Sequence, residues 1–182
     1  MDHAMRMRPI RDGDWPYIAA LEAEAYEGGG LAEGRAVLES RWRASPATCF
    51  VLDLDERVAG YLLALPYPMF RYPDLARTEQ PAVRSRNLHL HDMVVAPDLR
   101  GRGRGSTLLR HLAETATSTY EHVSLIAVEG KATFWASRGF RAHQGVAVPP
   151  EYGDDAVYMS RSLSAGGNAG SKKVDGLPCP VS

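Results

Sequence analysis

Two hydrophobic periods alternate along the chain, and each switch between them marks a new element. Residues 5–10 (MRMRPI) alternate with period two and predict a short first strand. Asp12, Asp14 and Pro16 are helix-start signals, and Ile18, Leu21 and Ala25 then share one helical face. Glycines 28–30 break that helix, and a helical pattern resumes from Leu31 to Arg43, with Val37, Leu38, Arg41 and Trp42 near one side. TCFVLDL (48–54) and RVAGYLLAL (57–65) read as strands joined by a tight turn at Asp55–Glu56. Residues 66–87 hold four prolines and three aromatics, a poor helix and a poor strand. Long loops of this kind in compact domains are often functional. LHLHDMVV (88–95) is a strand, and STLLRHLAETATS (106–118) is an amphipathic helix with Leu108, Leu109, Leu112 and Ala116 on one stripe. HVSLIAV (122–128) is a strand, KATFWASRG (131–139) a short helix stopped by Gly139, and FRAHQGVAV and DAVYMSRSL the last two strands. The order β-α-α-β-β-β-α-β-α-β-β is one α/β domain over residues 1–163. From Ser164 to Ser182 the chain is rich in Gly and Ser with little to bury, which predicts a disordered tail.

Composition narrows the function. With 182 residues, 45% hydrophobic and 24% charged, the chain is an ordinary globular domain with enough apolar material for a core. A formal net charge of −1 disfavours a broad electrostatic grip on nucleic acid or an anionic membrane. Cys49 and Cys179 are far apart, so a structural disulfide is not expected, and a reducing cytoplasm is. The first 30 residues carry six carboxylates and no apolar core of a signal peptide, and no apolar run approaches a membrane span.

The segment Leu88–Leu109, LHLHDMVVAPDLRGRGRGSTLL, carries the chemistry. Glycine-rich turns before helices expose backbone N–H groups at the positive end of a helix dipole, which suits phosphate. The P-loop pattern fails here for want of a lysine, and Gly101-x-Gly103-x-Gly105 does not fit the dinucleotide G-x-G-x-x-G. What remains is R-G-x-G-x-G opening a helix directly after a strand. Read as a pyrophosphate cradle, it lets the backbone approach closely, while Arg100, Arg102 and Arg104 add charge. The bland reading is a flexible arginine-rich surface loop.

MVVAPDLRGRGRGSTLL resembles the signature of the GNAT superfamily of acetyl-CoA-dependent N-acetyltransferases, and FWASRGF (134–140) resembles its later F-Y-x-x-x-G-F. The resemblance implies a mixed, mostly antiparallel central sheet of about seven strands flanked by about four helices. It implies that the loop amides of Gly101, Arg102, Gly103, Arg104, Gly105 and Ser106 hold the CoA pyrophosphate. The backbone of Met93, Val94 and Val95 would lie against the acetyl-pantetheine arm. The family's tyrosine, thought to protonate the departing thiolate, is here Trp135, which is no acid at neutral pH.

On a regular strand His89, His91, Met93 and Val95 share one face, and the two imidazoles stand about 6–7 Å apart. They could be hydrogen-bonded structural histidines, a metal pair lacking a third ligand, or general bases suited to taking a proton from an ammonium group. The run HLHDMVVAPDLRGRGRGSTLL also resembles the arylalkylamine (serotonin) N-acetyltransferases, in which two such histidines form a water-linked proton relay. The resemblance therefore implies direct acetyl transfer to a small primary amine, with His91 and His89 relaying the proton and no metal. Acceptor-pocket candidates are Tyr26 and Leu31 in YEGGGL, and Tyr67, Phe70 and Tyr72 in the long loop. A polyamine, aminoglycoside or protein amine acceptor, or a non-catalytic acyl-CoA-binding module, are the rival readings, and a homodimer is left open. Deleting residues 165–182 should leave melting temperature and activity unchanged, because such a tail buries little. A loss of several degrees in a thermal melt would show that it docks.

Overall fold

The computed structural model describes residues 4–80 and 83–163, so Cys179 and the predicted tail lie outside the described residues. Strand β1 (Met5–Pro9) is followed by a 3-10 turn at 12–14, helix α1 (Trp15–Ala25) and helix α2 (Arg35–Ala44). Then come β2 (Phe50–Leu54), β3 (Arg57–Pro66), β4 (Asn87–Val95), α3 (Arg104–Ala116), β5 (His122–Ala127), α4 (Ala132–Ala136), β6 (Arg141–Ala142) and β7 (Val157–Ser162). The seven strands form one sheet in the order β1-β2-β3-β4-β5-β7-β6. Every pairing is antiparallel except β4 with β5. The fold is α/β, with a mixed and open seven-stranded sheet and four helices, as the element order and the resemblance imply.

Local chemistry explains most boundaries. Asp55 and Glu56 both take positive φ, which matches the tight turn between β2 and β3 to the twist of the strands. Arg8 donates to both oxygens of Asp14 at 2.7 and 2.8 Å and, through Nε, to Asp53 at 2.7 Å, tying the turn before α1 to the first two strands. Trp15 meets Trp42 edge-on at 5.7 Å and joins α1 to α2. Leu108, Leu109, Leu112 and Ala116 are buried beneath α3, as their spacing predicts.

Four expectations need correction. The second helix starts at Arg35, not Leu31, because Gly34 sits at φ +83° and the Glu22 carboxylate captures the backbone N–H of both Glu33 and Gly34. Cys49 is buried, yet it precedes β2 at the end of a 3-10 turn rather than lying within the strand expected over 48–54. The strand expected from 140 to 148 shrinks to Arg141–Ala142, with turns following. The fourth correction matters most. Leu63 faces Asp92 and Ala64 faces Leu90, so His91 is an extra, unopposed residue in β4. Such a bulge reverses the alternation on its far side. Register therefore groups His89 with Asp92 and Val94 on one face, opposite Leu65, Leu63 and Tyr61, and Met93 and Val95 on the other. The Asp92 face packs under α1, through Tyr26 just past its end, and the Met93 face packs under the start of α3.

The strongest constraint on β3 is Gly60. A Cβ there would stand 2.8 Å from the Val94 carbonyl oxygen and 3.4 Å from Val95 Cα. Gly60→Ala should cost about 1–3 kcal/mol in urea denaturation, the usual scale of overpacking. Gly145→Ala, where a Cβ meets nothing within 4 Å, should be close to neutral in the same measurement.

Candidate active site

A cleft opens where two strands part. The parallel ladder between β4 and β5 pairs only Asn87, Leu88 and His89 with His122, Val123 and Ser124. Beyond it the strands diverge, and the edge of β4 from Leu90 to Val95 is left without β5 as a neighbour. The cleft has about 680 Å³ of empty space, part of it open to solvent, and is lined from β4 by His89, His91, Asp92 and Met93, and from β5 by Leu125 and Ile126. Tyr26, Leu31, Glu33, Trp135 and Tyr152 close it.

The two histidines differ in environment. Their ring centroids are 6.3 Å apart. His89 is fully buried, with Nδ1 3.0 Å from the Ser124 hydroxyl. Burial, reinforced by the charges of His91 and Arg41, pushes it well below the usual histidine range, so it is neutral near pH 7. His91 holds the Glu33 carboxylate through Nε2, and its Nδ1 is buried with no partner. A carboxylate on Nε2 fixes the ring tautomer: the proton stays on Nε2, and Nδ1 becomes the position that can accept one.

Glu33 is itself clamped. Its second oxygen accepts from Arg41 at 2.5 Å, and Arg41 also donates to Glu79 at 2.6 Å and to the Asp74 carbonyl at 2.7 Å. Side-chain exposure is 4% for Glu33 and 1% for Arg41, so this is a buried network rather than a surface pair. Burial alone would raise the Glu33 carboxyl, but His91 and Arg41 outweigh it and hold it below its ordinary value. Asp92 accepts the hydroxyls of Tyr26 at 2.6 Å and Tyr61 at 2.5 Å, and burial still leaves its pKa raised. Sequence reasoning missed Glu33, Glu22, Arg41 and Asp92 as site residues. Asp92, a carboxylate inside an apolar strand, and Arg41, a cation on the side of the second helix that carries Val37 and Leu38, gave the signals.

At the other end of β4 lies the glycine turn. Gly101 and Gly103 both take φ +73°, and a Cβ on either would meet nothing within 4 Å, so their backbone faces open space. Thr107 N–H makes the first bond to Gly103 in α3, which leaves the amides of Arg104, Gly105 and Ser106 ahead of it without intrahelical acceptors. Those donors at the positive end of a 13-residue helix fit a pyrophosphate. Met93 ties the turn to the cleft, since its Cε lies 3.5 Å from where a Cβ on Gly105 would stand. Arg104 Nε is buried without a partner, whereas Arg100 Nε turns back onto the Val95 carbonyl at 3.0 Å. Asp98 is held below its ordinary value chiefly by its bond to Arg57, with Arg102 adding a smaller attraction. Ser106 Oγ accepts from Arg138 at 2.9 Å.

The other expected residues divide. Trp135 is buried in the cleft wall, edge-on to Phe134 and Phe140 at 5.0 and 5.5 Å. Tyr152 also lines the cleft, but its hydroxyl donates to the Pro73 carbonyl at 2.6 Å and burial raises its pKa. Tyr158 stacks on His89 and accepts from the Phe70 amide at 2.8 Å. Tyr26 and Leu31 line the cleft. Tyr67 packs against His89 at 6.1 Å, and Phe70 is half exposed beside His143. Tyr72 borders a second groove of about 1510 Å³, which shares Glu33, Leu75 and Tyr152 with the cleft. Burial pushes the Cys49 thiol up to about 12, too high for a nucleophile at neutral pH. Among the described residues no three His, Cys, Asp or Glu side chains group as metal ligands, and no helix is long and apolar enough to cross a membrane.

The model of the Acetyltransferase (GNAT) family matches residues 15–140, and the chain belongs to that family of acyl-CoA-dependent acetyltransferases. Among solved structures it is similar to Ard1 from Thermoplasma volcanium, with TM-score 0.68 and 18% identity over 87% of this chain and 97% of that one. It is similar to the GphF GNAT-like decarboxylase in complex with isobutyryl-CoA, with TM-score 0.70 and 22% identity over 87% and 99%. A third is N-acetylglutamate synthase from Neisseria gonorrhoeae complexed with coenzyme A and N-acetyl-glutamate, with TM-score 0.69 and 19% identity over 91% and 36%. At such identities the likeness is one of fold. A search of curated proteins finds no match.

Because folding lowers the Glu33 pKa, the stability it contributes is present above its ordinary value of 4.5 and is lost as pH falls through the lower folded value. Glu33→Gln should therefore cost about 1–3 kcal/mol at pH 7, the scale of a lost buried charge-assisted bond. That deficit should shrink as pH drops below 4.5. Urea titrations of both proteins across pH check the sign, and a constant deficit would contradict it.

Proposed function

We propose that the protein transfers acetyl from acetyl-CoA directly to a small primary amine, arylalkylamine-like, in a ternary complex. One observation carries this: His91, on the bulge beside the open edge of β4, has Nε2 committed to Glu33 and a buried Nδ1 left without a partner. In this reading Gly101 to Ser106, with Arg102 and Arg104, hold the pyrophosphate of CoA. Met93, Val94 and Val95 line the pantetheine path, and a backbone N–H near Val94 or Val95 polarises the thioester carbonyl. Nδ1 of His91 takes a proton from the ammonium through water, and neutral His89 is the next station of the relay. The free amine attacks the carbonyl carbon, the C–S bond breaks so that CoA leaves as thiolate, and the acylated nitrogen gives up its second proton to water. With a thiol pKa near ~8.5, the thiolate is a tolerable leaving group that water protonates. Trp135 then serves as a wall, not an acid. Tyr26 and Leu31 border the acceptor side.

The adjoining groove favours a second reading, an extended acceptor such as a protein or peptide amine, whose body would lie along Tyr72 and Asp74. A thiol-release assay across arylalkylamines, polyamines, aminoglycosides and amine-bearing peptides separates the two. The first reading expects arylalkylamines to give the highest kcat/KM. His89→Gln with His91→Gln should lower it by ~10²-fold or more while CoA affinity barely changes. Near-full activity of the double variant at pH 7 would sink the proton-relay reading.

A further inference from the structure

A further groove, of about 960 Å³, lies between the end of α4 and the end of β7. It is lined by Arg138, Arg141, His143 and Arg161 together with His122 and Ser160. Three arginines line one concavity, and no carboxylate is among its lining residues, although Arg138 also donates to the Phe134 carbonyl and to the Ser137 and Ser106 hydroxyls. None of the three forms an ion pair among the described residues, although ten other arginine and lysine side chains do. Like charges gathered without a counter-ion repel one another, and partial burial makes that repulsion worse.

Arg161 shows the deficit most clearly. It packs over the Phe140 ring at 5.3 Å and spends one donor on the Arg138 carbonyl at 2.9 Å. Its Nε is buried with no acceptor. Desolvation is the sole influence on its pKa, which falls, so no neighbour compensates its charge. Arg138 is likewise pinned, 3.5 Å over the Phe134 ring, with Nε buried and unpartnered. Held guanidinium groups lose little entropy on meeting an anion. The residues from 164 onward do not bring one by composition, since they carry two lysines and one aspartate.

We propose that this groove binds a phosphate monoester dianion, anchored by Arg161 and Arg141 with Arg138 at its rim. Three guanidinium groups outnumber the two oxygens of a carboxylate, whereas a phosphate monoester presents three. Two sources offer that group: the 3′-phosphate of CoA, or a separate phosphorylated molecule. Arg138 connects the groove to the glycine turn through Ser106, which favours the first. That source rests on the donor reading above; the second does not.

Calorimetric titration with CoA and with 3′-dephospho-CoA tests the idea, using the full chain, Arg161→Gln and Arg141→Gln. The coenzyme source expects CoA to bind at least about ten-fold tighter than its dephospho form, the scale of one charge-assisted bond. Either substitution should erase most of that preference while affinity for dephospho-CoA holds, which also certifies the cradle and the fold. Arg141 is exposed, so its variant stays informative if Arg161→Gln folds poorly. The separate source expects no such preference. Instead, inorganic phosphate should raise the melting temperature of the CoA-saturated protein, and neither variant should respond. A preference that survives both substitutions, or the absence of both effects, overturns the proposal. Failure of both coenzyme forms to bind at all would strike the donor reading, while the phosphate melt, then run without CoA, still judges the groove.

Discussion

One extra residue in β4 organises this molecule. A regular antiparallel ladder would put His91 on the Met93 face, under α3. The bulge instead leaves His91 unopposed and puts Asp92 on the face under α1. Both side chains then meet polar partners from the first two helices and their connection: Glu33 for His91, Tyr26 for Asp92. The ladder with β5 ends at His89, two residues before the bulge, so the open edge and the buried charges fall in the same place. The core around them is apolar and closely packed, and it holds this irregularity without loss of the sheet.

The charges beneath the cleft are costly to bury and persist because each is answered. Arg41 meets two carboxylates and a carbonyl, and Glu33 meets a guanidinium and an imidazole. Glu22 binds the backbone N–H groups of Glu33 and Gly34 and thereby fixes where the irregular segment stops. Burial raises Glu22 and Asp92 while the cations hold Glu33 low, so neighbouring carboxylates are driven in opposite directions. Such separation is how one small cavity keeps distinct protonation states at neutral pH. A network this dependent on mutual partners fixes geometry more than it adds stability.

Much of the fold was legible because it is local. The period of Leu108, Leu109, Leu112 and Ala116, the Asp55–Glu56 turn and the Gly139 stop each settle an element within a few residues. The glycine turn was legible for the same reason, since Gly101 and Gly103 take positive φ directly before a helix. Glu33 was not, because it follows three glycines in an irregular stretch and its partner His91 is 58 residues away. Nor was the bulge, since alternation within β4 says nothing about its register against β3. The long loop misled in part: Tyr72 borders the second groove, while Phe70 turns toward His143 at the outer surface.

The central claim is that Glu33 fixes the His91 tautomer and frees Nδ1 as the proton-accepting atom. Nitrogen-15 NMR of the ring, assigned through a His91→Gln control, reads this directly. The account predicts that the neutral ring carries its proton on Nε2 and that Nδ1 shows the shift of a bare nitrogen, with Glu33→Gln weakening that preference. A neutral ring protonated on Nδ1, with a bare Nε2 facing Glu33, would contradict it.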